Sequence, residues 1–181
     1  RSISLTSCLS KILERILNRR LQWTLESRHL LNEYQSGFRR KRGTTDNITY
    51  LTDEIQKSFI EQKQTVAIFI DIKKAYDTIK TDVIIDSLLK MGFKRKLVKY
   101  IQNFLSDRTF NIQLVISCTL FNVVFNEILN CIDEPIKYCA YADDLVVFMK
   151  GKTTKEIEAS LQVTLDKIKT DMKQKGLEIS N

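Results

Sequence analysis

The 181-residue chain has a single proline, a single histidine and no long apolar run, and each scarcity excludes something. A membrane-crossing helix needs about 18 or more consecutive apolar residues. None is present, so no membrane partner is expected. The opening segment, RSISLTSCLSKILERIL, lacks a compact apolar core of the signal-peptide kind. It starts inside a patterned stretch, which reads as a piece of a longer polypeptide. His29 stands alone and the four cysteines (Cys8, Cys118, Cys131, Cys139) form no closely spaced pair, so a zinc site lacks clustered ligands. The cysteines read as reduced, mostly buried thiols of an intracellular protein, in the nucleus or the cytoplasm. His29, among charged and apolar helix residues, reads as a boundary residue. Pro135 stands directly before a hairpin pattern, and there is no internal repeat or low-complexity tract.

Acidic residues are the other shortage. Lys and Arg number 29 against 22 Asp and Glu, for a net charge of +7. Residues 1–50 hold ten basic and four acidic side chains, so most of that excess sits in the first part of the chain. Such a concentration fits a polyanionic partner. A solvated helix face followed by a basic loop explains the charge equally well.

The 43% hydrophobic content is enough for a real core, and its periodicity divides the chain. Leu9, Ile12, Leu13, Ile16, Leu17, Leu21 and Leu25 recur at helical spacing, predicting a helix from Ser7 or Ser10 to about Arg28. GFRRKRG (37–43) is a basic loop. A second helix starts near Thr44 or Thr45 with Ile48, Leu51, Ile55 and Phe59 on its inner face. TVAIFIDI (65–72) reads as a central strand buried on both faces. Asp82 is placed to cap a helix that stops at Gly92, and the next helix turns Leu97, Tyr100, Ile101, Phe104 and Leu105 inward. TFNIQL (109–114) reads as a strand and CTLFNVVFNEIL (118–129) as a buried helix. IKYCAYA and LVVFM form a hairpin, Thr153 and Glu156 a capping box, and LEIS a last strand. The expected fold class is α+β: a split β-α-β-β-α-β, ferredoxin-like sheet over 65–181, with a helical layer over 1–64 packed on it.

YCAYADDLVVF (138–148) poses the chemical question. Two carboxylates about 4 Å apart repel by roughly 4 kcal/mol at an effective dielectric of 20, yet Asp143 and Asp144 adjoin within an apolar hairpin. Ala-Asp-Asp-Leu is also poor turn chemistry, which prefers Asn-Gly or Gly-X. Taken alone, the pair is an exposed acidic loop tip. The split sheet, however, sets its first strand beside the hairpin, so Asp71 converges on the pair. Three short carboxylates together call for divalent cations. Two Mg²⁺ ions bound by carboxylates and substrate phosphates carry out phosphoryl transfer.

The segments LLNEYQSGFRRKRGTTDNI, FIDIKKAYD, SCTLFNVVFNEI, YADD and KGLEIS, in this order, closely resemble the reverse transcriptases of non-LTR retrotransposons, the LINE class and its jockey-like members in particular. The resemblance implies a polymerase palm with helical fingers. It implies that Asp71 and Asp143 hold two Mg²⁺ ions with the help of Asp144. Tyr76 is the counterpart of the aromatic gate that excludes a ribose 2′-hydroxyl, Arg39 and Arg42 of the finger cations on the incoming triphosphate. Tyr141 is expected beneath the primer end, and Asp77 as a structural residue. The implied partners are an RNA template, a DNA primer and deoxynucleoside triphosphates.

The sequence also departs from that family. Its glycine-rich pocket loop, of the form GxPQGSxxSP, is missing where Leu114 meets Val115. Ser2 stands where the family has proline. The lysine that follows the last strand and the thumb would both lie beyond Asn181. Two readings stay open: an RNA-directed DNA polymerase (a nucleotidyltransferase) represented in part and of little activity alone, or a decayed remnant that binds nucleic acid without chemistry.

Overall fold

The computed structural model describes residues 8–73, 75–106 and 115–180. Helices α1 (Cys8–Ser27) and α2 (Thr44–Ile60) flank the basic loop. They are followed by β1 (Gln64–Ile70), β2 (Ile72–Lys73), the single turn α3 (Ala75–Thr78), α4 (Thr81–Lys90) and α5 (Arg95–Ser106). Then come α6 (Val115–Leu129), β3 (Lys137–Tyr141), β4 (Asp144–Gly151), α7 (Thr154–Gln174) and β5 (Glu178–Ile179). The strand expected over 109–114 and the Leu114–Val115 junction fall outside the described residues.

Both β1 and β3 pair antiparallel with β4, giving the order β1-β4-β3. Past Asp71 the chain continues as β2, which pairs antiparallel with β5. Followed through that break, the last strand lies outside the first and the hairpin on the other side, the order of a split β-α-β-β-α-β unit. The middle of the three-stranded sheet is β4, not the 65–72 segment. Val66, Ile68 and Ile70 turn toward the core, whereas Phe69 on the opposite face is 74% exposed. A β-branched run reports affinity for a pleated surface but not the number of faces covered.

Helix α6 is buried on nearly every side because it serves two cores. Phe121, Phe125, Ile128 and Leu129 pack with the sheet and α7. Ile116, Leu120, Val123 and Val124 pack with Leu17, Leu21 and Leu25 of α1 and with Leu88 and Ile101. The α7 helix buries Ile157, Leu161, Ile168 and Met172, as its spacing predicts, and Gly176 follows it with φ +80°.

Four local expectations are corrected. On α2, Ile48 and Phe59 are exposed while Glu54 and Ser58 are buried. Glu54 tolerates burial because Lys137 from β3 and Lys57 both donate to it, at 2.6 and 2.9 Å. Lys80, not Asp82, is the N-cap of α4, and the Asp82 carboxylate accepts the Val83 N–H one residue on. Thr153 does cap α7 in position, but its hydroxyl makes no capping bond. On α5, Val98 and Ile101 are buried and Tyr100 is exposed. All four cysteines are free, and only Cys139 is fully buried.

Candidate active site

Register brings the aspartates to one end of the sheet. The β1–β4 ladder ends at Ile70 opposite Leu145, so the next residues, Asp71 and Asp144, fall side by side. On the other flank of β4, Tyr141 pairs with Asp144, leaving Ala142 and Asp143 as a two-residue turn. Ala142 takes φ +59°, the value a type II′ turn needs at its first position and one that glycine meets without strain. For alanine this costs about 1 kcal/mol, so the surroundings have to hold the turn.

They hold it from three sides. Segment 34–37 runs beside β3: the Ser36 N–H donates to the Ala140 carbonyl and the Ala140 N–H to the Tyr34 carbonyl, each at 2.9 Å. Asn47 of α2 donates to the same Ala140 carbonyl at 2.8 Å and accepts from the Ser36 hydroxyl at 2.7 Å. From α6, Asn122 donates to the Gly37 carbonyl at 2.8 Å and accepts from buried Gln35 at 3.1 Å. Gly37 itself lies on the turn, where a Cβ would come within 2.0 Å of the Ala142 nitrogen. Only glycine lets the basic loop approach this closely.

Tyr76 on α3 donates its hydroxyl to Asp143 Oδ1 at 3.2 Å. Its ring stands edge-on to Phe38 (centroids 5.9 Å apart) and tilted against Phe121 (5.1 Å). Burial, and then the Asp143 charge, push the Tyr76 phenol above its ordinary range, so it stays a donor across neutral pH. Partial burial raises the Asp144 carboxyl, and the charges of Asp143 and Asp71 add to the effect. Asp144 therefore feels the charge of both other aspartates.

Three carboxylates form a hard-oxygen donor set suited to Mg²⁺ or Mn²⁺. Among the described residues, no group of three or more His, Cys, Asp or Glu side chains is drawn together tightly enough to grip an ion. Asp143 meets the Tyr76 hydroxyl instead, and Asp71 and Asp144 are exposed. Beside them a cleft of about 350 Å³ opens against α2, with Asp71, Asp144, Tyr141, Phe69, Ile48 and Leu51 among its walls.

The finger cations are placed differently from the carboxylates. Arg39 is nearly buried (6% exposed), and its fork holds both Glu26 oxygens, at 2.7 and 2.8 Å. Its remaining nitrogen donates to the carbonyls of Asn32 and Gln35. Arg42 donates to the Glu33 carbonyl, while Arg40 and Lys41 are exposed. Sequence reasoning passed over Gln35, Gly37, Phe38 and Asn122. Gly37 was visible as the first residue of the basic loop, but nothing in the sequence links it to Ala142. Asn122 signalled itself only as one of several polar residues, with Thr119 and Asn126, inside a largely apolar helix.

Comparison with known proteins places this geometry in context. The family described as "Reverse transcriptase (RNA-dependent DNA polymerase)" matches residues 1–181. The probable RNA-directed DNA polymerase from transposon BS of Drosophila melanogaster is 32% identical over 114 residues, 63% of this chain and 12% of that protein. The RNA-directed DNA polymerase from mobile element jockey of the same fly is 24% identical, over 92% of this chain and 21% of that protein. The chain thus spans well under a quarter of the length of either relative. The aligned stretch with jockey runs to 190 residues, longer than this 181-residue chain, so jockey carries residues there that this chain lacks. Among solved structures, an apo telomerase from Candida tropicalis, truncated from its C-terminal domain, shares the fold. Its TM-score is 0.57 at 8% identity, over 93% of this chain and 38% of that one.

Proposed function

We infer the chemistry of this chain from its membership of the reverse transcriptase (RNA-dependent DNA polymerase) family, to which it belongs as a domain of the non-LTR retrotransposon kind. The chain is proposed to extend a DNA primer along an RNA template from deoxynucleoside triphosphates. The observation that carries this is the strand register that sets Asp71 beside Asp144 and ends the β3–β4 hairpin at Asp143. Asp71 and Asp143 would hold two Mg²⁺ ions, with Asp144 assisting. When bound, such ions supply Lewis acidity at the primer hydroxyl and neutralise the departing pyrophosphate.

The chain's own residues have separate tasks. Tyr76, fixed by Phe38, Phe121 and Asp143, presents a rigid ring where a ribose 2′-hydroxyl would have to fit. Tyr141, in the wall of the cleft, supports the primer end. The basic loop meets the triphosphate through Arg40, Lys41 and Arg42, and Arg39 joins them only if it leaves Glu26. In this scheme residues 1–64 act as fingers and 65–181 as palm.

Efficient polymerisation also needs a pocket that holds base and nucleotide in line. With the Pro-Gln-Gly segment missing between Leu114 and Val115, extension should be weak. That gap, together with the longer aligned stretch in jockey, favours a second reading, a remnant that binds nucleic acid without catalysis. Primer extension on an RNA template with Mg²⁺ separates the two. Slow, metal-dependent extension that Asp143→Asn abolishes supports the polymerase. Salt-sensitive binding of primer and template with no extension supports the remnant.

A further inference from the structure

A second groove lies along α1, away from the aspartates. It has a volume of about 730 Å³ and runs between α1 and the start of α5, floored by Leu13, Ile16, Phe93 and Leu97. Two aromatic residues stand in its walls: Trp23, 71% exposed, and Tyr100, 41% exposed. Every charged residue lining it is basic: Arg20, Arg28, Lys94 and Lys96. Among the described residues none of the four is in an ion pair.

The surrounding surface has the same sign for a structural reason. Both acids on α1 are already engaged: Glu14 is buried and accepts the Ile116 N–H of α6, and the half-exposed Glu26 is paired with Arg39. The unpaired exposed charges of α1 are therefore all positive, and residues 93–106 contain no acid at all. Inward-facing Leu17, Leu21 and Leu25 already give α1 its place in the core. Core packing thus accounts for neither the outward Trp23 nor the cations beside it.

We propose that this groove binds a single strand of nucleic acid outside the carboxylate cleft, with bases stacked on Trp23 and Tyr100 and phosphates on Arg20, Arg28, Lys94 and Lys96. Charge complementarity selects a polyanion. Exposed aromatic faces select unpaired bases over a duplex, because bases inside a duplex already stack on one another. An acidic helix would use the aliphatic floor, but it would leave the aromatic pair without a specific role. The groove would hold the strand before or after it passes the cleft, so this site does not depend on catalysis at the aspartates.

The chain itself carries the probe, because Trp23 is its one tryptophan. Intrinsic fluorescence is titrated with oligouridylate and oligothymidylate 20-mers, while the anisotropy of labelled copies reports total binding. The expected result is quenching of Trp23 that saturates together with the anisotropy. The double variant Arg20→Glu, Lys96→Glu should weaken it at least tenfold and lower the salt dependence by about two released counterions. Tyr100→Ala should weaken it about tenfold, the loss of one stacked base. Circular dichroism confirms that these exposed substitutions leave the fold intact. Stronger binding of the uridylate than the thymidylate would identify RNA as the strand, and the reverse order DNA. Binding without quenching, quenching that survives the double variant, or no binding to either oligonucleotide would each overturn the proposal, whatever the outcome of primer extension.

Discussion

Two single residues control the geometry of the aspartate turn. Gly37 is there because the backbone of Ala142 leaves no room for a side chain, with 2.0 Å and 2.7 Å to its nitrogen and Cα. Backbone cannot move aside as a flexible side chain can. Gly37→Ala is therefore expected to cost about 3 kcal/mol in urea denaturation, at the upper end of overpacking. Asp144 carries an electrostatic penalty: burial and its two acidic neighbours raise its pKa above the ordinary 3.8. An acid whose folded pKa is raised holds its proton more tightly when folded, so its ionisation weakens the fold as pH rises through that range. In the absence of divalent cations, Asp144→Asn should raise the melting temperature at pH 7. The gain should vanish below about pH 4, where both chains are neutral at this position.

At the scale of elements, the Glu26–Arg39 pair ties the end of α1 to the basic loop. Arg39 holds the Glu26 carboxyl below its ordinary 4.5 by hydrogen bonding, outweighing the opposing effect of partial burial. A lowered folded pKa gives stability that is present above the unfolded value and lost as pH falls through the folded one. Glu26→Gln should thus destabilise by about 1 kcal/mol at pH 7, the pair being partly open to solvent. The difference should shrink steadily below pH 4.5 in a series of denaturant titrations.

Much of this level was legible in the sequence. The hairpin and α7 follow from periodicity because their apolar side chains decide which face is buried. Helix α1 was legible as a helix and its face only in part: Leu17, Leu21 and Leu25 are buried, but Leu9, Ile12, Leu13 and Ile16 are exposed and Glu14 and Asn18 are buried. The α2 face was not legible, since Glu54 is buried by virtue of Lys137, 83 residues away. The same holds for Arg39: its partner Glu26 reads locally as an ordinary surface acid, and only the fold closes the fork on it. Strand β1 departed differently, because a Val- and Ile-rich run looks alike whether one face of the strand is covered or both. At the site, the three aspartates stood out by their cost in an apolar setting. Gln35, Gly37 and Asn122 carry no such cost and became visible only through contacts between distant segments.

At the scale of the molecule, α6 links the sheet core to the α1–α4–α5 core. The loop that abuts the aspartate turn is bonded to α6 through Asn122 and to α2 through Asn47. The two cores and the site are thus parts of one packed body, and the aspartates sit where its strands and loops converge. The central claim is that Asp71, Asp143 and Asp144 are a divalent cation site, which the repulsion among them prepares. Mn²⁺ titration followed by electron paramagnetic resonance tests it directly, without requiring turnover. Saturable Mn²⁺ binding to the wild-type chain that Asp143→Asn weakens at least tenfold and excess Mg²⁺ displaces is the predicted result. No saturable binding, or binding that Asp143→Asn leaves unchanged, would contradict it.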